Sequence, residues 1–271
     1  MKISELKAPA VAGVIREKSV RASNAAIKNC MIDGADMIDL HLSCLEDDSV
    51  DALKQIISAT KLPILALNYN KTYDWEDCNL SEEERVASFI RAAEAGVAAV
   101  DMQGYTFDDA SKEGFCGEDK YSFTKGNPKE IVTDSAIISK QCAFIEQMHG
   151  MGTEVLLSCH PGIVMNSTQV VELALFLEQR KPNVIKIVTA STCEDDLAEC
   201  IKAMTMLKKE VKTPVSYHTF GKPGTLSRII NPLLGGQIAF CVDGYTDSST
   251  MEQLDLKTVR SIVDNVNKFF W

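Results

Sequence analysis

The stretch Ser81-Glu-Glu-Glu-Arg-Val-Ala-Ser-Phe-Ile-Arg-Ala-Ala-Glu-Ala-Gly96, followed by Ala98-Ala-Val-Asp-Met-Gln103, holds the unit from which this chain is built. Ser81 and Glu84 have capping-box spacing, in which each side chain satisfies the other residue's free backbone N–H. Val86, Phe89, Ile90 and Ala93 share one helical face, and Gly96 stops the helix. The run that follows is short and apolar, as suits a buried strand. Similar runs span Pro9 to Ile15, Asp36 to Leu42, Pro63 to Tyr69, Glu154 to His160, Val184 to Ala190, Pro214 to Phe220 and Gln237 to Asp243. Eight near-continuous apolar strands alternating with amphipathic stretches imply a parallel sheet covered on its outer side. Eight such units in 271 residues predict one α/β domain over 1–271, a (β/α)8 TIM barrel. A doubly wound open sheet is the rival, but no GxGxxG follows the first strand.

One interval breaks the rhythm. Between Gln103 and Glu154 lies a polar segment, Tyr105 to Thr133, with Gly114, Gly117, Gly126 and Pro128, ahead of a helix from about Asp134 to His149. It is too long for an ordinary βα loop and reads as an insertion at about 104–133. A second loop, at about 244–254, follows the eighth strand.

Composition narrows the functional classes. With 28 Lys+Arg against 38 Asp+Glu the net charge is -10, and no basic run occurs, which argues against a nucleic-acid partner. Any anionic ligand must be met by a few local cations. The nine cysteines are odd in number, with no CxxC pair and no His/Cys ligand spacing, so neither a disulfide framework nor a structural zinc site is expected. The N-terminus does not read as a signal peptide, and no run approaches the ~18 apolar residues of a membrane span. The expectation is a reduced, soluble, cytoplasmic protein with no membrane partner, no cofactor and no metal.

In a parallel barrel, function gathers at the C-terminal strand ends. Those ends carry Asp39 and His41, Asn68 and Tyr69, Asp101 and Gln103, His160, Lys186, His218 and Asp243. Lys186 lies within Val184-Ile-Lys-Ile-Val188, where an ammonium would lose hydration. A lysine desolvated in this way can attack a ketone and form an imine; otherwise it snorkels to solvent or pairs with Asp101. His160 suits a general acid/base at a barrel mouth, or a hydrogen-bonded structural role. Cys159 beside it should face the helices. After the seventh strand comes Gly221-Lys-Pro-Gly-Thr-Leu-Ser-Arg228, with a helix starting near Thr225. Arg228 can lean over the mouth and bind a carboxylate, and Gly221 to Gly224 could cradle a phosphate or simply form the helix entry. His41, His160, His218 and Asp39 could also converge on a divalent metal, with Lys186 an unwelcome neighbour.

Taken together, Lys186, His160 and Gly224-Thr-Leu-Ser-Arg228 resemble the type I 3-dehydroquinate dehydratases. Ile185-Lys-Ile-Val-Thr is similar to that family's K-I-A-V-M segment, and the 26-residue interval from the histidine is close to the family's. Gly224 to Arg228 fits G-x-x-S-R, and Ser249-Thr-Met-Glu-Gln253 keeps the Ser and Gln of the lid S-A-P-G-Q. The resemblance runs from about Val11 to Val263. It implies that Lys186 forms an imine with a hydroxyketone, a small molecule carrying a carboxylate. It also implies that His160 moves protons, that Arg228 holds the carboxylate, and that Ser249 and Gln253 close over the ring. A homodimer is implied as well.

Departures from the family cluster in the ring-binding shell. The glutamate of the fourth-strand D-x-E is Gln103, expected to orient His160 without stabilising its charged form. The second-strand E-x-R is Asp39-Leu-His41, the third-strand arginine is replaced by Asn68-Tyr69, and a seventh-strand methionine is His218. The N-terminal hairpin that closes the barrel base is largely missing. The reading is therefore a dehydratase-like lyase, with two alternatives: a Schiff-base aldolase or dehydratase of another keto-sugar or sugar phosphate, and a catalytically decayed binding homologue.

Overall fold

A computed structural model of the chain describes residues 1–69, 80–108, 130–245, 249 and 252–270, with 269 and 270 described by backbone alone. The elements run β1 Ala10–Ile15, α1 Val20–Ile32, β2 Met37–His41, α2 Val50–Ile57, β3 Ile64–Leu67, α3 Glu82–Ala95, β4 Ala99–Gln103 and α4 Ser135–Gly150. They continue with β5 Glu154–Cys159, α5 Ser167–Glu178, β6 Val184–Ala190, α6 Glu194–Glu210, β7 Val215–Phe220, α7 Ser227–Leu233, β8 Ile238–Val242, β9 Leu254–Asp255 and α8 Leu256–Phe270. Helix α3 begins in the expected reciprocal Ser81–Glu84 capping box and ends at Gly96 in the left-handed conformation. Helix α4 is capped by the Asp134 carboxylate, which accepts from the N–H groups of Ala136 and Ile137.

The strands pair in parallel in the order β7-β6-β5-β4-β3-β2-β1-β8-β9. At the seam between β7 and β8, the Gln237 N–H donates to the Val215 carbonyl at 2.9 Å and the Ile238 N–H to Ser216 Oγ at 2.9 Å. Further up, β9 pairs with the C-terminal end of β8 through Cys241 and Val242. The nine-stranded curled sheet, β1 to β8 with β9 added at β8, is thus TIM-barrel-like, and β9 brings residues 252 and 253 to the mouth.

Strand alternation divides the core into two bodies. Outward side chains such as Val11, Ile38, Val100, Leu157 and Ile187 pack under the helices. Inward ones, including Ala12, Met37, Leu65, Ala99, Leu156, Val184 and Ile238, form an apolar plug across the lower barrel. One inward step higher the residues turn polar: Asp39, Asp101, Ser158 and Lys186, with register pairing Ser158 to Lys186 and Lys186 to Ser216. Cys159, on the other face, is fully buried among the helix-facing residues.

The first residues of the chain cover the base of the barrel. Ile3 is buried in the inner cluster, and Gln237 Nε2 donates to the carbonyls of Ile3 and Leu6, both at 3.1 Å. Ser4 donates to the Glu154 carboxylate through its N–H (3.1 Å) and its hydroxyl (2.5 Å). A short turn is thus held to the base by four hydrogen bonds. Among the described residues the cysteines are free thiols, and no helix is long and apolar enough to cross a membrane. Cys78, Cys116 and most of the 104–133 insertion lie outside the described residues, as does part of the 244–254 loop.

Candidate active site

Lys186 sits at the centre of the mouth, buried, with its ammonium 4.6 Å from the Phe240 ring centroid. Its Nζ donates to the Tyr69 hydroxyl at 2.8 Å and lies 3.6 Å from Asp101 Oδ2. Tyr69 in turn donates to the same Asp101 oxygen at 3.2 Å. The desolvation cost of a buried amine is therefore met by a phenol and a carboxylate. Tyr69, just past β3, sets its ring edge-on to His160 (centroids 5.5 Å apart) and to His41 (6.3 Å). Burial, then the charges of Asp101, Asp39 and Glu130, hold its hydroxyl well above the ordinary phenol range, so it stays a proton donor.

The partner of His160 is not the residue expected from sequence. Glu130 Oε2 lies 2.8 Å from His160 Nδ1 and also accepts the His160 N–H at 2.8 Å. A carboxylate fixes the Nδ1–H tautomer and leaves the lone pair on Nε2. Glu130 is buried, and its backbone is left-handed with φ 63. Its carbonyl accepts from the Cys159 thiol at 3.3 Å. Gly104 is what lets that segment approach, since a Cβ there would lie 2.2 Å from the Glu130 carbonyl oxygen. Sequence reading passes over Glu130 because it closes a polar segment with no periodicity. The available signal is the buried pair Ile131-Val132, which docks the chain just before the α4 cap.

Gln103, expected to orient the imidazole, is engaged elsewhere. Its Oε1 accepts from Arg85 Nη1 in a short contact, and its Nε2 donates to the Asp101 carbonyl at 2.8 Å. Arg85 is wholly buried and also holds Glu82 at 2.7 and 2.8 Å and Thr106 Oγ1 at 2.9 Å. With one carboxylate already on the guanidinium, an amide supplies a further acceptor without adding a buried negative charge.

Asp39 and His41 point inward from β2, with Asp39 Oδ2 3.8 Å from His41 Nε2. Burial pushes the Asp39 carboxyl up to about 7, Asp101 adding to the effect and Lys186 and Arg16 opposing it. Burial, then Arg16 and Lys186, holds His41 well below the usual histidine range; burial, then Arg228, Lys186 and His160, does the same to His218. Both imidazoles are neutral at pH 7. Arg16, at the end of β1, is a mouth cation that the strand-end rule also reaches, yet sequence reading leaves it out.

Asp39 makes the stability of the chain depend on pH. Its folded pKa exceeds the unfolded one, so its contribution to stability is full at low pH and is lost as pH rises toward and through about 7. Asp39→Asn is expected to leave stability unchanged at pH 4 and to raise it at pH 8. Each tenfold change in proton affinity corresponds to about 1.4 kcal/mol, which limits the gain to at most about 4 kcal/mol. Denaturant midpoints of both proteins at the two pH values test this, and parallel pH dependences would refute it.

Arg228 opens α7, nearly buried, and its Nη2 donates to Glu252 Oε2 at 3.2 Å. The other Glu252 oxygen accepts the Gly221 N–H at 2.9 Å. Gly221 has φ +95 and packs so closely that a Cβ would lie 2.3 Å from the Ser191 carbonyl oxygen. This turn N–H, a candidate phosphate ligand, is thus committed to a carboxylate of the chain itself. Gln253 is buried with Oε1 lacking a hydrogen-bond partner, as do Arg228 Nε and Asp39 Oδ1. Ser249 Oγ donates to the Gly244 carbonyl at 3.4 Å. No group of three His, Cys, Asp or Glu among the described residues is arranged to hold a metal ion.

The family model of type I 3-dehydroquinase matches residues 131–268. The chain belongs to this family. Over 237 residues it is 19% identical to the 3-dehydroquinate dehydratase of Methanobrevibacter smithii, covering 88% of this chain and 87% of that protein. Its fold is that of the Geobacillus kaustophilus 3-dehydroquinate dehydratase crystal structure, with TM-score 0.78 and 12% identity over 100% of this chain and 97% of the other. A shorter match, 33% identical over 93 residues, links 30% of the chain to 4-hydroxy-3-methylbut-2-en-1-yl diphosphate synthase (flavodoxin) of Zymomonas mobilis. It spans only 24% of that protein's length. In this chain the carboxylate on His160 Nδ1 is Glu130, from the segment ahead of α4, and not a residue of β4.

Proposed function

We propose that this family member is a hydro-lyase that removes water from a cyclic β-hydroxyketone through an imine on Lys186, with 3-dehydroquinate the first substrate to test. The observation that carries the reading is one buried mouth holding a lysine hydrogen-bonded to a phenol beside a histidine tied to a buried carboxylate. The lysine proton leaves through Tyr69 toward Asp101, and the neutral amine attacks the ketone carbon. Loss of water from the carbinolamine gives an iminium, which acidifies the adjacent C–H. His160 Nε2 takes that proton, and the enamine expels the β-hydroxyl, which leaves as water with the proton returned from His160. Hydrolysis of the conjugated iminium frees the enone and the amine.

Glu130 is the positioning residue, accepting from Nδ1 and keeping Nε2 directed at the substrate. Gln103 supports the mouth from behind by holding Arg85. The buried polar atoms without partners, Arg228 Nε, Gln253 Oε1 and Asp39 Oδ1, are groups a polyhydroxylated ring can satisfy. Ser249, His41, Tyr69 and His218 complete this shell. The Gln103 argument for a decayed site loses its force once Glu130 supplies the missing carboxylate. The phosphate alternative is weakened by Glu252 on the Gly221 N–H. A single barrel domain with the 104–133 insertion, a homodimer and a cytoplasmic location belong to the same reading.

Incubation with 3-dehydroquinate should produce the ultraviolet absorbance of a conjugated enone. No signal above an enzyme-free control would remove this substrate.

A further inference from the structure

In the region of the mouth that lies beyond His218, an anion site is already built and already filled. Its donors are the Arg228 guanidinium and the Gly221 N–H, at 3.2 and 2.9 Å from the two oxygens of one carboxylate. That carboxylate is Glu252. It stands immediately before Gln253, and β9 at Leu254–Asp255 pairs with the end of β8, so the sheet itself fixes the approach of this segment. Arg228 is largely withdrawn from water, its side chain 11% exposed, and burial works against its charge while Glu252 sustains it.

We propose that Glu252 is a specificity-determining residue that occupies the carboxylate position at Arg228 from within the chain. It thereby favours hydroxyketones whose end facing Arg228 is neutral over those that bring a carboxylate there. The inference rests on the proposed function in one respect, the assignment of Arg228 to the substrate-binding shell. A carboxylate ligand must displace Glu252 from both donors and leave it facing the newcomer as a like charge. A neutral hydroxyl can approach the unpaired Arg228 Nε and Gln253 Oε1 with the ion pair intact.

The chemistry predicts the outcome of removing one charge. Glu252→Gln keeps the shape of the side chain but leaves Arg228 as an uncompensated buried cation, and charge-assisted pairing with an incoming carboxylate becomes the best way to satisfy it. Quinate, a cyclic polyol carboxylate without the ketone, is a suitable probe because its binding needs no imine. By calorimetry, Glu252→Gln is expected to bind quinate about tenfold more tightly than the native chain. Adding Arg228→Ala to that variant should abolish the gain. Equal affinity in the native and Glu252→Gln proteins, including no measurable binding to either, would overturn the inference, as would a gain that survives the loss of Arg228. Thermal midpoints of the variants establish that both fold. Lack of 3-dehydroquinate turnover by both the native chain and Glu252→Gln, together with the expected gain for quinate, would count against the dehydratase reading alone.

Discussion

Lys186→Ala is expected to lower turnover of the substrate ketone by about 10⁴-fold or more, the scale on which loss of a covalent nucleophile acts, while the barrel remains folded. The amine is the group that turns a ketone into an electron sink, and no other lysine among the described residues bonds to Tyr69. Its truncation also releases Tyr69 and Asp101 from an ammonium 2.8 and 3.6 Å away, which leaves two buried acids without their cation. The variant is therefore expected to be less stable as well as inactive, so chemistry must be read separately from folding. Borohydride reduction with the ketone present does this. The native chain should gain the mass of the reduced adduct on the peptide containing Lys186, and Lys186→Ala should gain none. An adduct on another lysine, or none on a chain that turns over the ketone, would refute the imine.

Glu130→Gln is expected to lower kcat by about 10²-fold, as loss of a group that orients a catalytic histidine typically does. The amide keeps the volume but supplies no charge to stabilise an imidazolium, and in one of its two orientations it presents NH₂ where Nδ1–H needs an acceptor. Imine formation does not require this carboxylate. Borohydride trapping at Lys186 should therefore persist in Glu130→Gln, with turnover reduced and KM little changed. A purely structural role for Glu130 would instead diminish trapping and turnover together. Unchanged kcat would exclude Glu130 as the positioning residue.

Lys186 and Glu130 differ in how far each can be reached from sequence. Lys186 stands out because a charge inside Val184-Ile-Lys-Ile-Val188 is locally anomalous, and its position at a strand end directs attention to it. Glu130 has no such signature. It sits on a segment that no periodicity governs, and it reaches His160 because Gly104 leaves room for its backbone and because Ile131 and Val132 bury themselves beside α4. Gln103 escapes sequence reading for the same reason. Its strand position is as expected, but its partner is Arg85 on α3, a residue whose fully buried guanidinium is unexpected directly after the exposed acids Glu83 and Glu84. The N-terminal turn at Ile3 and Ser4 is likewise held through hydrogen bonds to Glu154 and Gln237, residues remote in sequence.

By itself, then, the sequence determined the barrel, the strand that carries each inward polar residue, and the resemblance carried by His160, Lys186 and Gly224 to Arg228. These follow from short-range physics: the period of two in a strand, the helical period and its caps, and the cost of a charge in an apolar run. Only the tertiary structure decided which carboxylate holds His160, that Tyr69 lies between Lys186 and Asp101, and that Glu252 rather than a ligand meets Arg228. Pairing of buried charges is settled by distances of a few ångströms between segments far apart in the chain, and local pattern does not encode those distances.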